Sequence, residues 1–170
     1  MKVSGDDGAM NGYSVPDPEK CRLARAWCAA RYEVSPGEGR FTLRIGAPAK
    51  ALEARFPARD YLWITAWNPP LARRTAEENR RADQRLRAHL RETGHVHLPA
   101  SASDDTGGWH EPGWMVLDLA RDDADALARA FAQGGILHWR HGQAVRLRLM
   151  WPPPSGLALL PGFAAVDWAG

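Results

Sequence analysis

Trp109, His110 and Glu111 stand side by side in "WHEP". An indole, an imidazole and a carboxylate in three positions are the raw material of acid/base chemistry beside a stacking surface. A second stretch, "TAWNPPLARRTAEENR" at 65–80, carries Asn68, Arg73, Arg74, Asn79 and Arg80. Side-chain amides donate and accept at once, which suits reading a polar ligand. Guanidinium forks pair with carboxylate or phosphate. A helix starting near Thr75 adds unpaired amides and a positive dipole end, both favourable to an anion. Gln133, in "FAQGGIL", supplies a third amide.

Each residue also has a plainer reading. Asn68 before proline is ordinary turn chemistry. Asn79 can close the neighbouring loop, and Glu78 is the capping-box partner of Thr75. Arg80 fits a solvated face, Trp109 can fold its loop back onto the body, and Gln133 can simply end a helix. Adjacent His110 and Glu111 on a loop often point apart. Convergence of these groups, rather than any one of them, favours function.

Other chemistries find less support. His95, His97 and His110 could hold zinc, but no zinc-motif spacing is present, so no metal site is expected. His138 and His141 flank a tight hairpin. The chain lacks a G-x-S-x-G elbow, a P-loop and a dinucleotide fingerprint, and no cofactor is expected. Cys21 and Cys28 lie seven positions apart in a predicted helix, about 10 Å at helical rise. A bridge tolerates only about 7 Å, so both are read as packed thiols.

The elements that must position these groups come next. With 170 residues and 45% hydrophobic content, the chain suits one domain with a substantial core. No apolar run reaches the roughly 20 residues of a membrane span, and "MKVSGDDGAMNG" lacks a signal's apolar region, so a cytoplasmic location is expected. Net charge is +2, and 19 of the 22 basic residues are arginine. Beside so many alanines, that reads as compositional bias more than a nucleic-acid footprint.

Residues 1–16 read as a disordered start, 17–151 as a single α+β domain, and 152–170 as a proline-rich tail whose Leu159, Leu160 and Phe163 can dock on the surface. "PDPEKCRLARAWCAARY" predicts a helix capped by Asp17, with Pro18 at the first helical position. One face carries Cys21, Ala24, Trp27 and Cys28. "YEV" and "FTLRIG" predict a hairpin, and "PAKALEARF" a short helix with Leu52 and Phe56 inward. "YLWITAW" is apolar on both faces, as a central strand should be. A helix from Thr75 to about Thr93 stops at Gly94 and buries Asn79, Ala82, Leu86 and Leu90. "HVHLP" reads as a short strand, "ASASDDTGGWHEPG" as a long polar loop and "WMVLDL" as a buried strand. A helix capped by Asp122, carrying Leu127, Ala128 and Phe131, ends at Gly134-Gly135. "ILHWR" and "QAVRLRLM" close the core as a hairpin, with Arg146 and Arg148 on a wet face.

Residues 61–140 thus spell strand-helix-strand-strand-helix-strand, the order of a ferredoxin-like βαββαβ core. The N-terminal hairpin and a C-terminal strand extend it into a single sheet packed by helices. In that arrangement 68–80, 107–112 and 131–135 share one rim. The expected ligand-binding set is Asn68, Arg73, Asn79, Arg80, Trp109, Glu111 and Gln133.

"TAWNP" at 65–69, "EEN" at 77–79 with arginines and spaced leucines to 90, "WHEP" at 109–112 and "FAQGGIL" at 131–137 together resemble a bacterial family known as a domain of unknown function. "LRIGAPAKAL" at 43–52 is similar to a further family element, so the resemblance spans roughly residues 25–150. It implies no catalytic residues. The leading expectation is a non-enzymatic domain that binds a small anionic ligand or a protein partner at the rim. One alternative is nucleic-acid binding through the arginine-rich helix at 73–91 with Arg146 and Arg148. Stacking of bases on Tyr61, Trp63 and Trp67 is disfavoured by a strand covered on both faces. The other alternative is an acid/base enzyme using Glu111, assisted by His110, on a substrate held by Asn68 and Arg80.

Overall fold

Alternation decides which side of the sheet each strand residue faces. In β3 (Asp60–Ile64) all five residues are buried. Tyr61 and Trp63 join one apolar cluster while Leu62 and Ile64 join the other. This computed structural model describes residues 15–70, 72–159 and 161–169. The expectation of disorder at 1–16 therefore falls, up to residue 14, outside the described residues, as does docking of Leu160.

Among the described residues, four α-helices accompany one eight-stranded sheet. In chain order the elements are α1 (Asp17–Ala29), β1 (Arg31–Val34), β2 (Phe41–Leu43), α2 (Lys50–Arg55), β3, α3 (Ala76–Glu92), β4 (His97–Ser103), β5 (His110–Leu117), α4 (Arg121–Ala130), β6 (Gly135–Arg140), β7 (Leu147–Leu149) and β8 (Val166–Trp168). Spatial order is β2-β1-β4-β5-β3-β6-β7-β8. Neighbours are antiparallel except β7 and β8, which are parallel. The sheet curls back on itself: Gly46 N donates to Val145 O at 2.8 Å and Val145 N to Ala47 O at 3.0 Å, joining the chain after β2 to the approach to β7.

Each face has its own core. Inside the curl, Tyr32, Trp63, Met115, Leu137 and Trp139 pack with Cys21 and Ala24 of α1 and Leu52 of α2. On the other face, α3 lays down Ala82, Leu86 and Leu90, and α4 adds Ala124, Leu127 and Ala128. Full burial of each such leucine stabilises by about 1.5–3 kcal/mol. The capping box is formed as its sequence predicts: Thr75 Oγ1 accepts from Glu78 N, and the Glu78 carboxylate accepts from Thr75 N.

Several local expectations are corrected. The long polar loop shrinks to residues 104–109, because the Ala-Ser run at 100–103 pairs with β1 on one side and β5 on the other. Small residues lack the bulk that usually marks a strand, yet Ala100 and Ala102 are buried in alternation. Asp17 does not cap α1; Pro16 takes that position, and Asp17 instead accepts from Ser155 N at 2.9 Å. Asp122 does not cap α4 either; it lies in the first turn behind Ala120. That helix ends before the two glycines, with Ala132 in the left-handed region at φ 55. The face read as wet is half-covered: Arg148 makes two 2.6 Å hydrogen bonds to Asp125 of α4, and Arg146, just ahead of β7 and about a third exposed, pairs with Asp167 of β8.

Candidate functional site

In β5, Glu111 alternates with Gly113 and Met115 onto the enclosed face, whereas His110 is exposed. Glu111 is only 6% exposed. Its Oε1 accepts from Asn68 Nδ2 and from Trp109 Nε1, each at 3.1 Å. Asn68 sits just beyond β3 with φ 37, a conformation asparagine tolerates better than most residues. It is held there by Asn79 of α3, which is 2% exposed. Asn79 Oδ1 accepts from Asn68 N at 2.9 Å, and Asn79 Nδ2 donates to Asn68 Oδ1 at 2.8 Å.

Two further bonds tie the neighbouring segments. Gln133 Nε2 donates to Trp67 O at 3.1 Å, and Thr65 Oγ1 donates to Pro112 O at 2.7 Å. "TAWNP" is thereby cross-linked through side chains to "EEN", "WHEP" and "FAQGG".

Behind this network opens a cavity of about 880 Å³. Asn68, Arg73, Trp109, Glu111 and Gln133 line it, together with Arg22 and Trp27 of α1, Tyr32 of β1 and Trp63 of β3. The paired glycines make room for its wall. A Cβ on Gly135 would lie 2.9 Å from Trp27 Cε3, and one on Gly134 would lie 2.6 Å from Trp151 Cη2 and 2.8 Å from Pro70 Cγ. Trp27 and Trp151 stack with centroids 5.9 Å apart. Gly134 and Gly135 thus serve a close approach of two indoles rather than helix termination.

Two expected residues stand elsewhere. Asn79 is behind Asn68 and touches the site only through it. Arg80 is not at the cavity; it pairs with Glu77 at 2.9 Å on the outside of α3. The capping box already uses part of the helix start, which weakens that terminus as an anion site. His110, on the opposite face of its strand, cannot assist Glu111. Sequence reasoning missed Arg22, Trp27, Tyr32 and Trp63. Trp27 showed only a shared helix face, and nothing local joins α1 to a cavity.

The electrostatics are uneven. Burial pushes the Glu111 carboxyl up, and the bonds from Asn68 and Trp109 only partly offset this; no neighbouring cation contributes. Burial, with lesser effects from Cys28 and Glu111, also pushes the Tyr32 hydroxyl up. Asp104, which also lines the cavity, is held low despite partial desolvation, chiefly by hydrogen bonding from the Trp109 backbone and from Thr106. Arg22 is engaged by Glu19, and Arg74 donates to Ala66 O at 3.2 Å. Arg73 is exposed and has no ion pair among the described residues.

The histidines first weighed as ligands do not gather. His97 Nδ1 contacts the His95 carbonyl at 2.9 Å, and its ring meets Trp114 edge-on. Among the described residues no group of three or more metal-ligating side chains occurs. Cys21 and Cys28 are free thiols, and burial pushes Cys28 up. No helix among the described residues is long and apolar enough to cross a membrane.

Residues 64–136 match a protein family described as "Protein of unknown function (DUF3293)". The resemblance to a family of unknown function holds over that span, which begins at the end of β3 and closes inside β6. "LRIGAPAKAL" at 43–52 lies outside it, as do Arg22, Trp27, Tyr32 and Trp63 of the cavity wall. No curated protein and no solved structure matches the chain.

Proposed function

We propose that this protein binds a small molecule carrying an anionic group in the cavity lined by Asn68, Arg73, Trp109, Glu111 and Gln133. One observation carries the reading: side chains from separate connections converge, through direct hydrogen bonds, on the wall of an 880 Å³ cavity. That volume falls in the usual range for small-molecule sites, and its mixture of aromatic rings with few polar groups is typical of them. The strand order β4-β5-β3-β6, with α3 and α4 on one face, supports a ferredoxin-like description of residues 61–140.

Binding is favoured over catalysis because the groups offered for acid/base work separate: His110 faces away from Glu111, and Arg80 is remote from the cavity. Nucleic-acid binding is weakened in turn, since Arg146 and Arg148 are committed to Asp167 and Asp125. A thermal-shift screen of carboxylated and phosphorylated metabolites tests the proposal. A ligand well above its Kd adds about 2.7 kcal/mol, a rise of several degrees for a chain of this size. Arg73→Ala and Trp109→Ala should shrink the rise and Arg80→Ala should leave it. Stabilising compounds indifferent to the first two substitutions would place the site elsewhere.

A further inference from the structure

We infer that the ligand carries a protonated amine set against Glu111, with its anionic group toward exposed Arg73. This rests on the cavity being a small-molecule site and specifies what enters it. Glu111 is a buried carboxyl with no arginine, lysine or histidine paired to it among the described residues. Its Oε1 already accepts two hydrogen bonds, from Asn68 and Trp109. Its Oε2 has no partner among the described residues. Nor is Oε2 sealed away: among the described residues, the unpaired side-chain polar atoms closed off from solvent are the indole nitrogens of Trp63, Trp67 and Trp168. Glu111 therefore presents an acceptor to the cavity it lines.

A buried carboxylate without a counter-charge is unstable unless a proton or a cation neutralises it. An ammonium does so and donates to Oε2 in one contact. The rings of Trp27, Tyr32, Trp63 and Trp109 line the same space, and aromatic faces attract ammonium groups. A wholly anionic ligand would meet repulsion from ionised Glu111. Among the cavity's arginines, Arg22 and Arg74 are already engaged, which leaves Arg73 for the anionic end.

The test uses three compounds on one flat ring: para-(aminomethyl)benzoate, benzylamine and para-toluate, titrated calorimetrically into the whole chain. Both amines should bind at least about tenfold tighter than para-toluate near neutral pH, and the zwitterion tighter than benzylamine. Arg73→Ala should erase the difference between the two amines. Glu111→Gln, with its fold checked by melting temperature, should weaken both about tenfold or more.

A pH series on the unmodified protein needs no variant. Benzylamine affinity should fall as the solution is acidified from neutral pH through the raised pKa of Glu111, because a proton then competes for the carboxylate. The other charged or titratable groups facing this space are Tyr32 of β1, Arg22 of α1, Arg73 and Arg74 ahead of α3, and Asp104 and Asp105 of the β4–β5 loop. Asp105→Asn should therefore leave the trend in place. Para-toluate binding tighter than either amine, or amine affinity that does not fall on acidification, overturns the amine while the small-molecule reading stands. No binding by the three compounds at millimolar concentration, and no stabilising compound in the metabolite screen, overturns both.

Discussion

Asn79 holds Asn68 at both the backbone and the side chain, accepting from Asn68 N at 2.9 Å and donating to Asn68 Oδ1 at 2.8 Å. With its oxygen occupied, the Asn68 side chain has Nδ2 to offer, and this nitrogen meets Glu111 Oε1 at 3.1 Å. A helix residue outside the cavity thus dictates which end of Asn68 faces the carboxyl. Asn79→Asp places an acceptor against Asn68 Oδ1. It should lower unfolding free energy by about 1–3 kcal/mol in chemical denaturation and weaken ligand binding, although residue 79 touches no ligand. Unchanged stability would mean the pair does not hold the turn.

Gly134 explains a motif by packing. A side chain there would collide with Trp151 and Pro70. Gly134→Ala should destabilise by about 1–3 kcal/mol. Combining it with Trp151→Ala should be non-additive, because the two changes act on one contact. Additive melting-temperature losses would contradict the packing argument.

The Arg148–Asp125 pair joins β7 to α4 with side chains 12% and 9% exposed. Removing one partner strands a largely buried charge. Asp125→Ala should therefore destabilise by about 3–5 kcal/mol, whereas Asp125→Leu with Arg148→Met should come close to wild type. Urea unfolding of the single and double variants decides this.

Glu111 makes stability pH-dependent in a defined direction. Its folded pKa is raised by burial above its ordinary value. The folded state therefore binds the proton more tightly than the unfolded chain. The penalty is absent well below the ordinary value of 4.5 and grows as pH rises from there through the folded value, then levels off. Measured against Glu111→Gln, the wild type should lose ground from about pH 4 upward until Glu111 is fully ionised. A constant difference between the two across that range would contradict a raised pKa.

How much was legible followed from how local each signal was. The Thr75–Glu78 capping box and the stripe Asn79, Ala82, Leu86 and Leu90 were read residue by residue, because both depend on neighbours within one helix. Contact of the turn at 65–70 with Glu111 and Gln133 was legible, because the expected strand order brings those connections to one end. The Ala-Ser run of β4 was hidden, since burial between two partner strands substitutes for bulk. Trp27 and Tyr32 were hidden for a different reason: the curl of the sheet brings α1 and β1 to the cavity, and no periodicity encodes that. Arg80 was misplaced because a helix start exposes several arginines, and only the structure shows that Arg73 borders the cavity while Arg80 pairs with Glu77.

The central claim is that ligand enters beside Glu111, and the indole signal of Trp109, whose Nε1 donates to Glu111 Oε1 at 3.1 Å, reports on it most directly. In a nitrogen–proton spectrum, Trp109→Phe assigns that resonance. Titration with the compound that most raises the melting temperature should move it saturably while leaving Trp114, bonded to Asp83 on the far side of the sheet, in place. A Trp109 signal that stays still at saturation would contradict the account.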